Sequence, residues 1–192
     1  MTFHSLKRWI LNLIKNNLWI IIIGLIMWVL STINGLKFAE ASVKNSQENL
    51  KTSLDSYTFL SGKLESFPTP SSARSLQEKT FIQLSNALKY KSVWTRDEMS
   101  AYIAQINATE CFFSNPALLS DSAIKRSLFF ENRPEFLINF YTYNDSTAAY
   151  NQLLSRFPDR FFAKKMGLSP YPILSVPEIL TSHPVIRLSG KS

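Results

Sequence analysis

From Leu18 to Leu36 the chain reads LWIIIIGLIMWVLSTINGL, nineteen residues without a charge. As a helix rising about 1.5 Å per residue it covers roughly 28 Å, close to the roughly 30 Å of bilayer hydrocarbon. The segment is therefore expected to be a single transmembrane helix. No second uncharged stretch of comparable length follows. The remainder is large enough for one domain with its own core and is expected to stand outside the bilayer.

Charge sets the expected orientation. Lys7, Arg8 and Lys15 precede the apolar run and no acid does. Lys37, Lys44 and Lys51 match that count on the far side, but Glu40 and Glu48 dilute them. The acid-free tail and its free amino group favour a cytoplasmic N-terminus and a translocated C-terminal part. In a bacterium this means a single-pass inner-membrane protein with a periplasmic domain. Ala39-Glu40-Ala41 resembles a signal-peptidase site, but the apolar run exceeds a signal h-region of about 7–15 residues, so an uncleaved anchor is expected. Of the net charge of +7, the part beyond the anchor keeps only a mild excess, so nucleic acid is not an expected partner.

Beyond the anchor no proline occurs before Pro68, and one helix is expected to continue as a stalk. Leu36, Val43, Leu50, Tyr57 and Leu64 recur every seven residues, the signature of a seam presented to another helix. The second seam position reads Ala39, Ser46, Ser53 and Leu60, which is weakly apolar. The pattern fits either a homodimer through the stalk or a helix packed along its own domain. The organisation read from these features is a basic tail at 1–17, a transmembrane helix at 18–36, a stalk at 37–66, a Pro/Ser linker at 67–72 and an exterior domain at 73–192.

Within that domain, residues 73–91 show apolar positions at helical steps. Thr95-Arg96-Asp97-Glu98 matches a capping box opening a helix over about 96–108. Asn115-Pro116 reads as another helix start. Phe136 to Tyr143 is aromatic and β-favouring and reads as a strand, with further short strands at 173–176 and 185–188. A helix capped by Asp145 or Ser146 and another from Pro158 to Met166, ended by Gly167, complete an expected α+β fold.

Little points to catalysis. His4 and His183 are the two histidines, and His183 precedes Pro184, as a surface-turn residue would. No phosphate-cradling glycine loop, CxxC or HExxH occurs, so no cofactor or metal site is expected. Asp97 with Glu98 suits a helix start, and Glu131 with Glu135 is the other acidic pair. Cys111, the single cysteine, sits before Phe112 and Phe113 and is expected to be a small buried hydrophobe. The distinctive surface candidate is 156–165, where Arg156, Arg160, Lys164 and Lys165 offer a basic face for lipid headgroups, an acidic partner or a cell-wall polymer, with the phenylalanines packed elsewhere.

The expectation is thus a non-enzymatic membrane protein acting through surfaces. It would serve as a structural or assembly component of an envelope-spanning secretion, conjugation or pilus-biogenesis machine, with other envelope proteins and the lipid bilayer as partners. The alternative is a membrane-anchored periplasmic ligand-binding or sensory module, which would show an aromatic-lined pocket.

Overall fold

A computed structural model of the chain describes residues 3–67, 74–91, 93–113 and 121–174. All regular structure among them is helical. α1 spans Phe3–Glu65, α2 Leu76–Leu88, α3 Arg96–Phe113, α4 Asp121–Ser155 and α5 Asp159–Lys165. The described residues belong to two compact units, one drawn from Met1–Ser42 and Ala149–Tyr171, the other from Val43–Ala148 and Pro172–Ser192.

The α+β expectation is overturned. Phe136 to Tyr143 lies inside α4, residues 173 and 174 form no strand, and 175–176 and 185–188 lie outside the described residues. The physical reason is periodicity. Phe129, Arg133, Phe136, Phe140, Tyr143 and Thr147 are all buried and step by four and three along one helix face. That continuous stripe outweighs the local β preference of the aromatics. It also carries the helix through Pro134, which costs one backbone hydrogen bond. The separate helix expected from Asp145 is the second half of α4. The Asn115-Pro116 start lies outside the described residues.

In the second unit α1 and α4 run antiparallel. Ser46 Oγ meets Ser146 Oγ at 3.1 Å, and Asn139 Nδ2 donates to Ser53 Oγ, seven residues on along α1 and seven back along α4. The small residues of the weak seam position thus bring α4 close and bond to it. α2 and α3 pack against each other, with Phe81 stacked on Tyr102 at 5.8 Å and Ser85 hydrogen-bonded to the Tyr102 hydroxyl at 2.8 Å. Phe129 joins the layers, its ring 5.9 Å from Tyr57 of α1, 5.2 Å from Phe81 of α2 and 5.6 Å from Phe113 of α3. Truncating a fully buried phenylalanine at such a junction costs about 3–5 kcal/mol.

Local signals placed the helix ends. Ser75 Oγ accepts from the Glu78 N–H and opens α2. The capping box forms as expected, with the Thr95 N–H donating to Glu98 Oε2 at 2.8 Å and the Glu98 N–H to Thr95 Oγ1 at 3.3 Å. α3 runs five residues past the expected end at 108, because Thr109, Glu110 and Phe113 extend its buried face. In the first unit α5 ends at Gly167, with φ of +70°, a conformation glycine adopts without strain. Gly167 N–H donates to Lys164 C=O and Leu168 N–H to Ala163 C=O, the paired bonds of a Schellman motif.

Two asparagines hold the chain after α5. Asn151 donates to Tyr171 C=O at 2.7 Å and accepts from Tyr171 N–H at 3.0 Å. Asn144 makes the same pair with Leu174, at 2.9 and 3.0 Å. Of the stretch read as a strand, Leu174 thus bonds to a side-chain amide in place of a neighbouring strand.

Candidate interaction surface

Within α1 an apolar surface is left bare by the described residues. Every residue from Leu18 to Trp28 is exposed, including Trp19 at 74% and Ile20 at 68%. α1 is long and apolar enough to cross a membrane and is compatible with a single-pass protein. Protein cover begins at Val29, Thr32 and Ile33, which are half-buried, and Leu36 is buried. A contiguous apolar surface of this length does not suit water.

The basic candidate surface sits in the same unit. Arg156, Arg160, Lys164 and Lys165 are all exposed. Arg156 lies in the bend before α5 and outside its helical phase, while Arg160 and Lys164 share a face one turn apart. The accompanying phenylalanines do not form a core. Phe157 is 86% exposed and Phe161 57%, while Phe162 is half-buried and sets its ring edge-on to Trp28 at 6.3 Å. Lys165 Nζ lies over the Phe161 ring at 5.9 Å.

The seam residues are accounted for within the chain. Leu36, Val43, Leu50, Tyr57 and Leu64 are each at most 1% exposed. In the second unit Tyr57 packs on Phe129 and Phe136, so that part of the seam faces the protein's own α4.

Two buried ion pairs were not anticipated from sequence. Lys125 of α4 donates to both carboxylate oxygens of Glu78 on α2, at 3.0 and 3.2 Å, with the Phe67 and Phe113 rings close to its ammonium. Arg133 of α4 donates to Glu110 of α3 at 2.7 Å and rests over Phe130. A signal was present, since Glu78, Glu110 and Arg133 each fall on a mainly apolar helix stripe. Near the second pair, the Tyr57 hydroxyl and both side-chain polar atoms of Asn107 are buried and have no hydrogen-bond partner among the described residues. Burial pushes the Tyr57 phenol well above its ordinary range, the Glu110 carboxylate adds to the rise, and Arg133 opposes it. Tyr102 is raised by burial too, against its bond to Ser85.

The remaining candidates lie at the surface or outside the described residues. Asp97, Glu131 and Glu135 are exposed. Glu98 is held down to about 2, first by the hydrogen bond from Lys91 and then by the Thr95 backbone. Cys111 is exposed, correcting the buried assignment, because α3 buries Ile106, Glu110 and Phe113 and turns position 111 outward. His183 lies outside the described residues. An open groove on the second unit is lined by Thr52, Asp55, Ser56, Phe59, Leu60, Lys63, Glu131 and Asn132, a mainly polar set with one aromatic. The chain matches no family model, no curated protein and no solved structure.

Proposed function

We propose that this is a non-enzymatic single-pass protein of a bacterial inner membrane, with its N-terminus cytoplasmic and its helical part periplasmic. There it acts as a structural or assembly component of an envelope-spanning secretion, conjugation or pilus-biogenesis machine. The observation that carries this reading is the double use of α1. One unbroken helix supplies both the bare apolar run Leu18–Trp28 and the buried strip from Val43 to Leu64 at the centre of the second unit. A domain whose central helix is also its anchor suits a part that holds position at a membrane. The acid-free tail before the anchor supports the orientation. The seam side chains covered within one chain favour partners that meet the outer helix faces over a dimer zipped through Leu50 and Tyr57.

In-cell crosslinking of the full-length chain, followed by purification in detergent and mass spectrometry, tests the proposal. A reproducible set of envelope proteins at comparable abundance supports it. Recovery of the chain alone would overturn it in favour of a self-sufficient ligand-binding or sensory module.

A further inference from the structure

The end of α4 and α5 bring together features that water does not favour and a lipid surface does. Arg156, Arg160, Lys164 and Lys165 are exposed cations, and the one acid within that stretch of sequence is the half-buried Asp159, while Glu40 of α1 lines a groove with Gly167 and Leu168 just beyond them. Among them Phe157 and Phe161 stand exposed. The contact of Phe162 with Trp28 places this element at the end of the bare run Leu18–Trp28. A short helix with protruding rings and basic side chains fits the boundary between headgroups and acyl chains, where the rings enter the apolar layer and the cations meet phosphate.

We infer that α5 lies in the headgroup layer of the bilayer that α1 crosses, holding anionic phospholipid through Arg156, Arg160, Lys164 and Lys165 with Phe157 and Phe161 turned toward the acyl chains. This rests on α1 being a membrane span. It moves the outer edge of that span from Leu36 to about Trp28. An inner edge near Asn12 then leaves seventeen residues, about 25 Å of helix, at the short end of the range for a crossing, and it brings Asn16 and Asn17 as well as Lys15 into the inner boundary of the span. Lys15 falls near that inner edge, where its stem lets the ammonium reach the headgroups. Trp28, too deep for an interfacial tryptophan in a span of 18–36, becomes one. The half-buried Val29, Thr32 and Ile33 are then covered by protein above the acyl layer.

The test uses the full-length chain carrying Cys111→Ser, with a single nitroxide-labelled cysteine introduced as Met27→Cys, Gly35→Cys or Phe161→Cys. The protein is placed in vesicles of phosphatidylcholine, alone or mixed equally with phosphatidylglycerol. Accessibility to oxygen and to a water-soluble nickel chelate reads the depth. In the anionic vesicles the labels at 27 and 161 are expected to be shielded from the chelate and the label at 35 open to it. Omitting phosphatidylglycerol, or introducing R156Q, R160Q, K164Q and K165Q together, should raise chelate access at 161 about tenfold or more, since each cation at an anionic surface contributes roughly a factor of five. A label at 161 open to the chelate in every vesicle while 27 stays shielded would overturn the docking alone and direct the patch to an acidic protein. Shielding at 161 that ignores charge would overturn the anionic-lipid assignment, and a shielded label at 35 would return the boundary to Leu36. A label at 27 open to the chelate would instead refute the span on which the inference rests.

Discussion

Glu110→Gln isolates the energetic role of the interior charges, because it preserves volume and removes only the negative charge facing Arg133. The pair is nearly dry, with the Arg133 side chain 9% exposed and that of Glu110 7%, at a separation of 2.7 Å. An arginine left without its carboxylate in such a site costs about 3–5 kcal/mol, far more than the 0–1 kcal/mol of a surface pair. Near 1 kcal/mol per roughly 2–4 °C for a protein of this size, the melting midpoint of the helical part should fall by about 10 °C. Thermal melts of the full-length protein in detergent, followed by near-ultraviolet circular dichroism, report on the aromatic cluster around Phe129 and Tyr102. Glu110→Leu combined with Arg133→Met should recover most of the loss, since two apolar side chains carry no desolvation cost. A midpoint lowered by less than about 2 °C in Glu110→Gln would mean that Arg133 reaches solvent and that the pair is not buried in solution.

Four further outcomes are expected. Asn107→Leu should stabilise by roughly 1–3 kcal/mol, because it removes a buried amide with neither polar atom paired; destabilisation in the same melts would mean that a water or ligand pairs it. Leu50→Ala should cost about 2–5 kcal/mol in thermal melts that do not depend on protein concentration, whereas a midpoint that tracks concentration would put Leu50 between two chains. Glu98 has a folded pKa held below its unfolded value, so its contribution is present above about 4.5 and disappears as pH falls toward 2. Melting midpoints of Glu98→Gln and the parent should therefore converge across that window, and a gap that stays constant would refute the assignment. Cys111 should react with a maleimide in the folded protein about as fast as in the unfolded chain; a requirement for denaturant would refute its exposure.

Features resting on a few adjacent residues could be read before the fold was known. The Thr95–Glu98 box, the stop at Gly167 and the helical steps of 76–88 are local, and the chain satisfies them locally. Phe136 to Tyr143 misled because eight aromatic-rich residues look like a strand in isolation, while the period that decides their structure runs from Phe129 to Thr147. Cys111 misled in the same way, since its neighbours in sequence are aromatic and its neighbours on the helix face are not. The heptad seam was legible as a pattern, but a pattern of apolar residues on one helix does not name the helix that covers it. The serines at the weaker seam position become informative only beside Asn139 and Ser146 on α4. For the candidate surface, the basic residues were identifiable from sequence. The outward turn of Phe157 and Phe161 and the contact with Trp28 needed the tertiary arrangement.

The antiparallel register of α1 and α4 also has a temporal side. Ser46 waits for a partner synthesised 100 residues later and Ser53 for one 86 residues later. At about 5–20 residues per second of translation, the wait at Ser46 lasts roughly 5–20 s. The pair at Ser53 can form before the one at Ser46, so the two helices close as a zipper from the C-terminal end of α1 backwards. Until it closes, Leu50, Tyr57 and Leu64 stand uncovered on a nascent chain, giving a holding chaperone a defined interval in which to act.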